Sequence, residues 1–166
     1  MSANPISQQI NQLISEGKYQ QALQLAQQNG LTQTAQKIQA LIYVQQAIND
    51  AENGNIDQAL TDLQNAQKLN PNINLQPYFA YINVIQLFNS ANQALKSDDY
   101  NTALNYLQQA LQIAQQYPNV INVTEIQQQT QTVQALQQIQ QYINNANSEL
   151  EKANFAQAYQ YLQQAL

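Results

Sequence analysis

Residues 54–71 read GNIDQALTDLQNAQKLNP. Ile56, Ala59, Leu63, Ala66 and Leu69 recur within them at steps of three or four, which places the apolar side chains on one face of a helix. Gly54 and Pro71 bracket the pattern as start and stop signals. Apart from Leu60, the remaining positions are Gln, Asn, Thr, Asp and Lys. A helix with one apolar stripe has to bury that stripe against another element.

The same phase continues outward. Across 126–150, Ile126, Val133, Leu136, Ile143, Ala146 and Leu150 are spaced by three, four or seven. This phase settles a question raised by composition. The chain of 166 residues holds 37 Gln, 21 Asn and 10 Tyr, a mixture also found in disordered, prion-like tracts. Such tracts have no helical phase, so the chain reads as folded and all-α. Eight helices are expected, over 5–16, 19–29, 33–52, 56–70, 77–96, 100–116, 123–151 and 154–166. Asn4 before Pro5 reads as a helix cap, Gly30 as a C-terminal cap with Thr32 capping the next helix, and Asn122 with Glu125 as a capping box.

The missing residue types exclude much chemistry. There is no His, Cys, Trp or Arg, and only 15 side chains are charged, five of them Lys. No thiolate, imidazole base, disulfide or common zinc site can be built, and no bidentate phosphate clamp. A formal charge of −5 with scattered Lys argues against nucleic acid. No cofactor is expected. No run approaches the roughly 20 apolar residues of a membrane span, and MSANPISQQI lacks the features of a signal peptide. A cytoplasmic location is the default expectation, with an extracellular or virion location as the alternative.

Four segments align without gaps: GKYQQALQLAQQN, GNIDQALTDLQNAQKLNP, DDYNTALNYLQQALQIA and ANFAQAYQYLQQAL. A bulky residue (Tyr19, Ile56, Tyr100, Phe155) precedes by three an alanine (Ala22, Ala59, Ala103, Ala158). Ala26, Leu63, Leu107 and Leu162 follow four residues later, then Asn29, Ala66, Ala110 and Ala165. Small residues at these points let two helices approach closely. This pattern resembles the second helix of the tetratricopeptide repeat, most closely in 54–71, while the Trp–Leu–Gly signature of the family's first helix is absent. The alanine spacings of 37, 44 and 55 residues exceed the family's period of about 34.

The resemblance implies one domain over 1–166: an α-solenoid of about four antiparallel hairpins, near 5–30, 32–70, 77–117 and 122–166. It also implies a concave face lined by the first helices. Carried over in phase, that face holds Asn11, Ile48, Asn92 and Asn147, flanked by Val44, Phe88 and Ile143 on one side and by Lys96 on the other. Lys96 is the only cation there, which disfavours the carboxylate-clamping ligands some family members take. Val44, Ile48 and Phe88 have a competing reading as packing residues. In the aromatic cluster, Tyr78, Tyr81, Ile82 and Ile85 share helical spacing and read as core, which turns Phe79 outward as a contact residue. Asp98 and Asp99 read as a helix start, and Asn122-Val-Thr124 as a cap more than a glycosylation acceptor. The segment ending at Leu166 carries no polar capping helix. Either the natural chain continues, or the apolar face around Leu162 and Leu166 is covered by another subunit or by a first helix folded back.

The expected function is therefore a non-catalytic adaptor or scaffold that binds a protein or peptide. The alternative is a structural subunit of a virion, filament or cell surface that associates with itself, which a charge-poor, amide-rich exterior favours.

Composition also makes a prediction about acid. Below the carboxylate pKa range the chain carries only about +6, from five Lys and the α-amino group. Repulsion in the acid state is correspondingly weak. The helical fold is expected to survive at about pH 2.5. Thermal melts followed by circular dichroism at pH 7 and pH 2.5 check this, and a drop of tens of degrees would contradict it.

Overall fold

The computed structural model describes residues 4–152, 159–160 and 163–164. Among the described residues there are seven helices and no strand: α1 (Pro5–Ser15), α2 (Tyr19–Gln28), α3 (Thr32–Glu52), α4 (Ile56–Leu69), α5 (Gln76–Lys96), α6 (Tyr100–Gln116) and α7 (Val123–Lys152). The all-α expectation is met. The eighth expected helix, 154–166, falls largely outside the described residues, as do Ala158, Leu162, Ala165 and Leu166. None of the helices described is long and apolar enough to cross a membrane.

Helix ends follow from local chemistry. Asn4 Oδ1 accepts the Ile6 N–H at 3.1 Å, with Pro5 at the first helical position, where its missing N–H is no loss. Asp99 Oδ1 accepts from Thr102 N at 3.2 Å, and Asn122 Oδ1 accepts from Glu125 N at 3.3 Å. The start of α3 differs from expectation. Leu31 occupies the cap position with no side-chain cap hydrogen bond, and Thr32 is already helical.

Three turns within the helical hairpins repeat one geometry, which the 29–31 turn around Gly30 shares. They occupy 16–18, 53–55 and 97–99, and their central residues take a left-handed backbone: Gly17 at φ 75°, Gly54 at 85° and Asp98 at 55°. In each, two N–H groups fold back onto the preceding helix. Lys18, Asn55 and Asp99 donate to the carbonyls of Leu13, Asp50 and Ala94 at 2.8, 2.8 and 2.9 Å. Gly17, Gly54 and Asp98 donate to Ile14, Ala51 and Leu95 at 3.0, 3.1 and 3.1 Å. This Schellman arrangement satisfies carbonyls the helix end would otherwise orphan. Glycine is suited to it because it has no Cβ to clash, and Asp is among the few other residues that tolerate it.

The chain groups into two compact units, Met1–Gln86 with Tyr117–Ile121, and Leu87–Gln116 with Asn122–Leu166. In the first, α1 packs on α2, α2 on α3 and α3 on α4. Ile10, Ala22, Ala26, Ile38 and Ile42 form one apolar cluster. A second joins Ala40, Val44, Ala47 and Ala51 of α3 to Ala59, Leu63 and Ala66 of α4, with Leu75 and Ile82. Tyr81 adds a polar tie, donating its hydroxyl to Glu52 at 2.8 Å. In the second unit α6 packs on α7, and Ala91, Ala103, Leu104, Leu107 and Val133 cluster together. Thr130 is buried there, its hydroxyl satisfied by the Ile126 carbonyl at 2.8 Å.

The alanines at the helix contacts have no spare room. Ala59, Ala66, Ala103 and Ala110 are all 0 % exposed. Ala59→Phe or Ala103→Phe should therefore destabilise the fold by about 1–3 kcal/mol or more, since a ring has to push two helices apart. Urea unfolding of each variant checks this, and an unchanged midpoint would show that the site has room.

Candidate functional site

The residues expected to meet a partner fall into two groups. Asn11, Asn92, Lys96 and Asn147 are exposed on α1, α5 and α7, and Phe79 is 39 % exposed on α5. Ile82, by contrast, is buried, with Tyr78 and Ile85 packed against the same cluster. Val44 and Phe88 take part in helix packing, the competing reading of these residues. Val44 is 4 % exposed within the α3–α4 cluster, and Phe88 packs against Ala103 and Leu107 of α6. Ile48 is half-buried against the α3–α4 cluster. At Val44 and Phe88 the first-helix stripe faces its own hairpin partner, whereas Ile143 of the same row is 54 % exposed.

A different feature offers a seat in the first unit. Leu23, Leu31, Ala35 and Leu69 line a groove of about 370 Å³, with Gln27, Gln36 and Gln39 also at its wall. The groove forms where the α2–α3 turn bends the chain. There Leu31 N donates to the Ala26 carbonyl at 2.9 Å, with Gly30 at φ 66°. No ionisable side chain lines it. Such a wall can bury apolar side chains and hydrogen-bond a peptide backbone through its amides, and it provides no charge for acid, base or metal chemistry. The residues that build it come from three helices, so no local motif in the sequence announces it.

Asp62 is the other residue that sequence reading passed over. It sits three after Ala59 and four before Ala66, on the buried face of α4, and is only 4 % exposed. Its Oδ1 accepts from Gln58 Nε2 at 3.0 Å, while Oδ2 is buried without a partner. Burial is the main cause that raises its pKa above its ordinary value. The Asp50 carboxyl beside it adds to the rise, and the Gln58 amide opposes it. A protonated Asp62 satisfies the orphan oxygen by turning it into a donor. Two exposed carboxylates shift the other way. Glu16 is lowered by Lys18, at 2.9 Å, and by Gln12, and Asp99 by Thr102.

Compared with protein-family models, curated proteins and solved structures, the chain matches none of them.

The direction of the Asp62 shift gives a pH dependence. The folded state holds this proton more tightly than the unfolded chain does. The associated stability is full below the unfolded pKa and is lost as pH rises through the folded one. Asp62→Asn should raise the melting temperature at pH 7 and leave it little changed near pH 3. Equal shifts at both pH values would mean that the carboxyl does not titrate in that window.

Proposed function

We propose that this chain is a non-catalytic module that binds another protein or peptide, built as a tetratricopeptide-like solenoid of helical hairpins. The observation that carries the reading is one packing scheme used repeatedly. A first helix and a second helix are joined by a three-residue left-handed turn, and the second helix is seated by alanines of 0 % exposure. Repetition of this kind supports an extended binding surface, since each added hairpin lengthens the surface without changing the core. The partner segment is apolar and uncharged, seated in the groove of Leu23, Leu31, Ala35 and Leu69. The Asp50–Asp62 pair does not suit catalysis on a substrate, because Asp62 is enclosed in the packing of α4.

A second reading, a structural subunit that assembles with itself, is favoured by a specific observation. Leu136, Ile139, Tyr142, Ile143 and Leu150 are exposed from the middle of α7 onward. Apolar residues in such a run mark an interaction surface more often than isolated ones do.

The groove makes the first reading testable. A partner captured by the immobilised chain should bind the Ala35→Glu variant about tenfold more weakly, with helix content unchanged. Because no charge lines the groove, affinity should vary by less than about twofold between roughly 0.05 and 0.5 M salt. A partner that ignores Ala35→Glu, or dissociates steeply with salt, is held elsewhere.

A further inference from the structure

Asparagine is followed directly by glycine twice in the chain, at Asn29–Gly30 and Asn53–Gly54. Both pairs stand at helix ends, Asn29 as the cap of α2 and Asn53 as the cap of α3. All four residues are exposed, and a Cβ built on either glycine would meet no atom within 4 Å. Such pairs are chemically labile for a steric reason. The glycine amide nitrogen can attack the asparagine side-chain carbonyl carbon, and a glycine has no Cβ to hinder the approach.

The backbone holds both pairs back alike. Asn29 has ψ 11° and Asn53 has ψ 3°, whereas closing the five-membered ring needs ψ far from zero. The attacking N–H groups are engaged too: Gly30 donates to the Gln27 carbonyl and Gly54 to the Ala51 carbonyl, each at 3.1 Å. Attack therefore follows opening of the turn, an event of low cost at an exposed helix end. The side chains differ. Asn29 Nδ2 donates to the Leu25 carbonyl at 2.8 Å, which ties the reacting amide to its own helix. Asn53 has no side-chain hydrogen-bond partner among the described residues.

We infer that Asn53 is a site of spontaneous modification, converting to aspartate and isoaspartate ahead of Asn29. The Gly54 nitrogen loses its proton and bonds to Asn53 Cγ, the Cγ–Nδ2 bond breaks, and ammonia leaves. Water then opens the resulting succinimide at either carbonyl. One opening gives aspartate; the other routes the main chain through the former side chain as isoaspartate. Either product adds a negative charge to a chain whose formal charge is already −5. The new carboxylate stands beside Glu52 at the C-terminal end of α3, where the helix dipole disfavours it. Isoaspartate also adds one carbon to the backbone of a turn whose Gly54 and Asn55 N–H groups have to reach Ala51 and Asp50. The reaction is a clock that loosens the α3–α4 hairpin.

Peptide mapping of the purified chain, incubated at neutral pH and body temperature, tests this. Cleavage before aspartate releases 50–56, DAENGNI, as one peptide between the cuts at Asp50 and Asp57. Aspartate at position 53 creates a new cut within it, whereas isoaspartate leaves the peptide whole with the mass of an acid. Cleavage after lysine isolates Asn29 in 19–37. Conversion at 53 should exceed conversion at 29 by about two- to tenfold, the factor one side-chain hydrogen bond supplies. In urea strong enough to unfold the chain, the two sites should convert at similar rates. Asn53→Gln, whose longer side chain forms the ring less readily, should remove the acidic species at 53 and slow the fall in melting temperature on ageing. Conversion at 29 as fast as at 53 in the folded chain would overturn the inference. An Asn53 that reacts only in urea would overturn it as well, because the closed turn would then be a shield. A preference for 53 that persists in urea would do the same, by tracing the difference to the flanking residues.

Discussion

Close approach of two helices at alanine governs this molecule. At Ala59 and Ala66 on α4, and at Ala103 and Ala110 on α6, the side chain is a single methyl with no exposed surface. Helices meeting at such residues can bring their axes to the short end of the usual range of roughly 8–10 Å. Bulkier neighbours then fill the flanks: Leu63 is 0 % and Leu107 is 1 % exposed. Each such side chain, fully buried, contributes about 1.5–3 kcal/mol. Helices this close also have to be joined tightly. The three-residue turns and their left-handed centres answer that demand, so turn chemistry and contact chemistry constrain each other.

The exterior obeys a separate rule. Gln has nearly the helix propensity of Glu and Lys but brings no charge. Amide side chains therefore cover α2, α6 and α7 without the lattice of ion pairs usual on helical surfaces. Glu16 and Lys18 form an exposed pair at 2.9 Å, of the kind that contributes little to stability. Cohesion comes instead from burial and backbone hydrogen bonds, neither of which depends strongly on salt. Among the described residues Asp62 is a carboxyl set into the interior, and burial raises its pKa.

Helix existence and helix ends were legible because their signals are local. Gly17, Gly54, Pro71 and Pro118 interrupt the phase, and Asn4, Asp99 and Asn122 cap where their side chains can reach the first turn. Direction was harder. Periodicity identifies the apolar stripe holding Val44 and Phe88, but it does not say what the stripe faces, and both lie against their own hairpin partners. The groove was illegible for a related reason: Leu69 lies far along the chain from Leu23, and only tertiary packing brings them together. Asp62 did leave a trace, a carboxylate in phase with Ala59 and Ala66. That phase is visible once a charged residue on an apolar stripe is taken as a buried group.

The order in which the helices pack has a kinetic consequence. α1 meets α2, α2 meets α3, α3 meets α4 and α6 meets α7, so these contacts join segments that are neighbours in the chain. Little loop-closure entropy has to be overcome before such contacts form, and chains of low contact order fold rapidly. Speed has particular value for this composition. An unfolded chain with 37 Gln and 21 Asn presents the amides that stack into cross-β ladders, and it lacks the dense charge that usually keeps strands apart. Local helical topology shortens the time those amides spend unpaired, and so acts as the gatekeeper that charge supplies in other proteins.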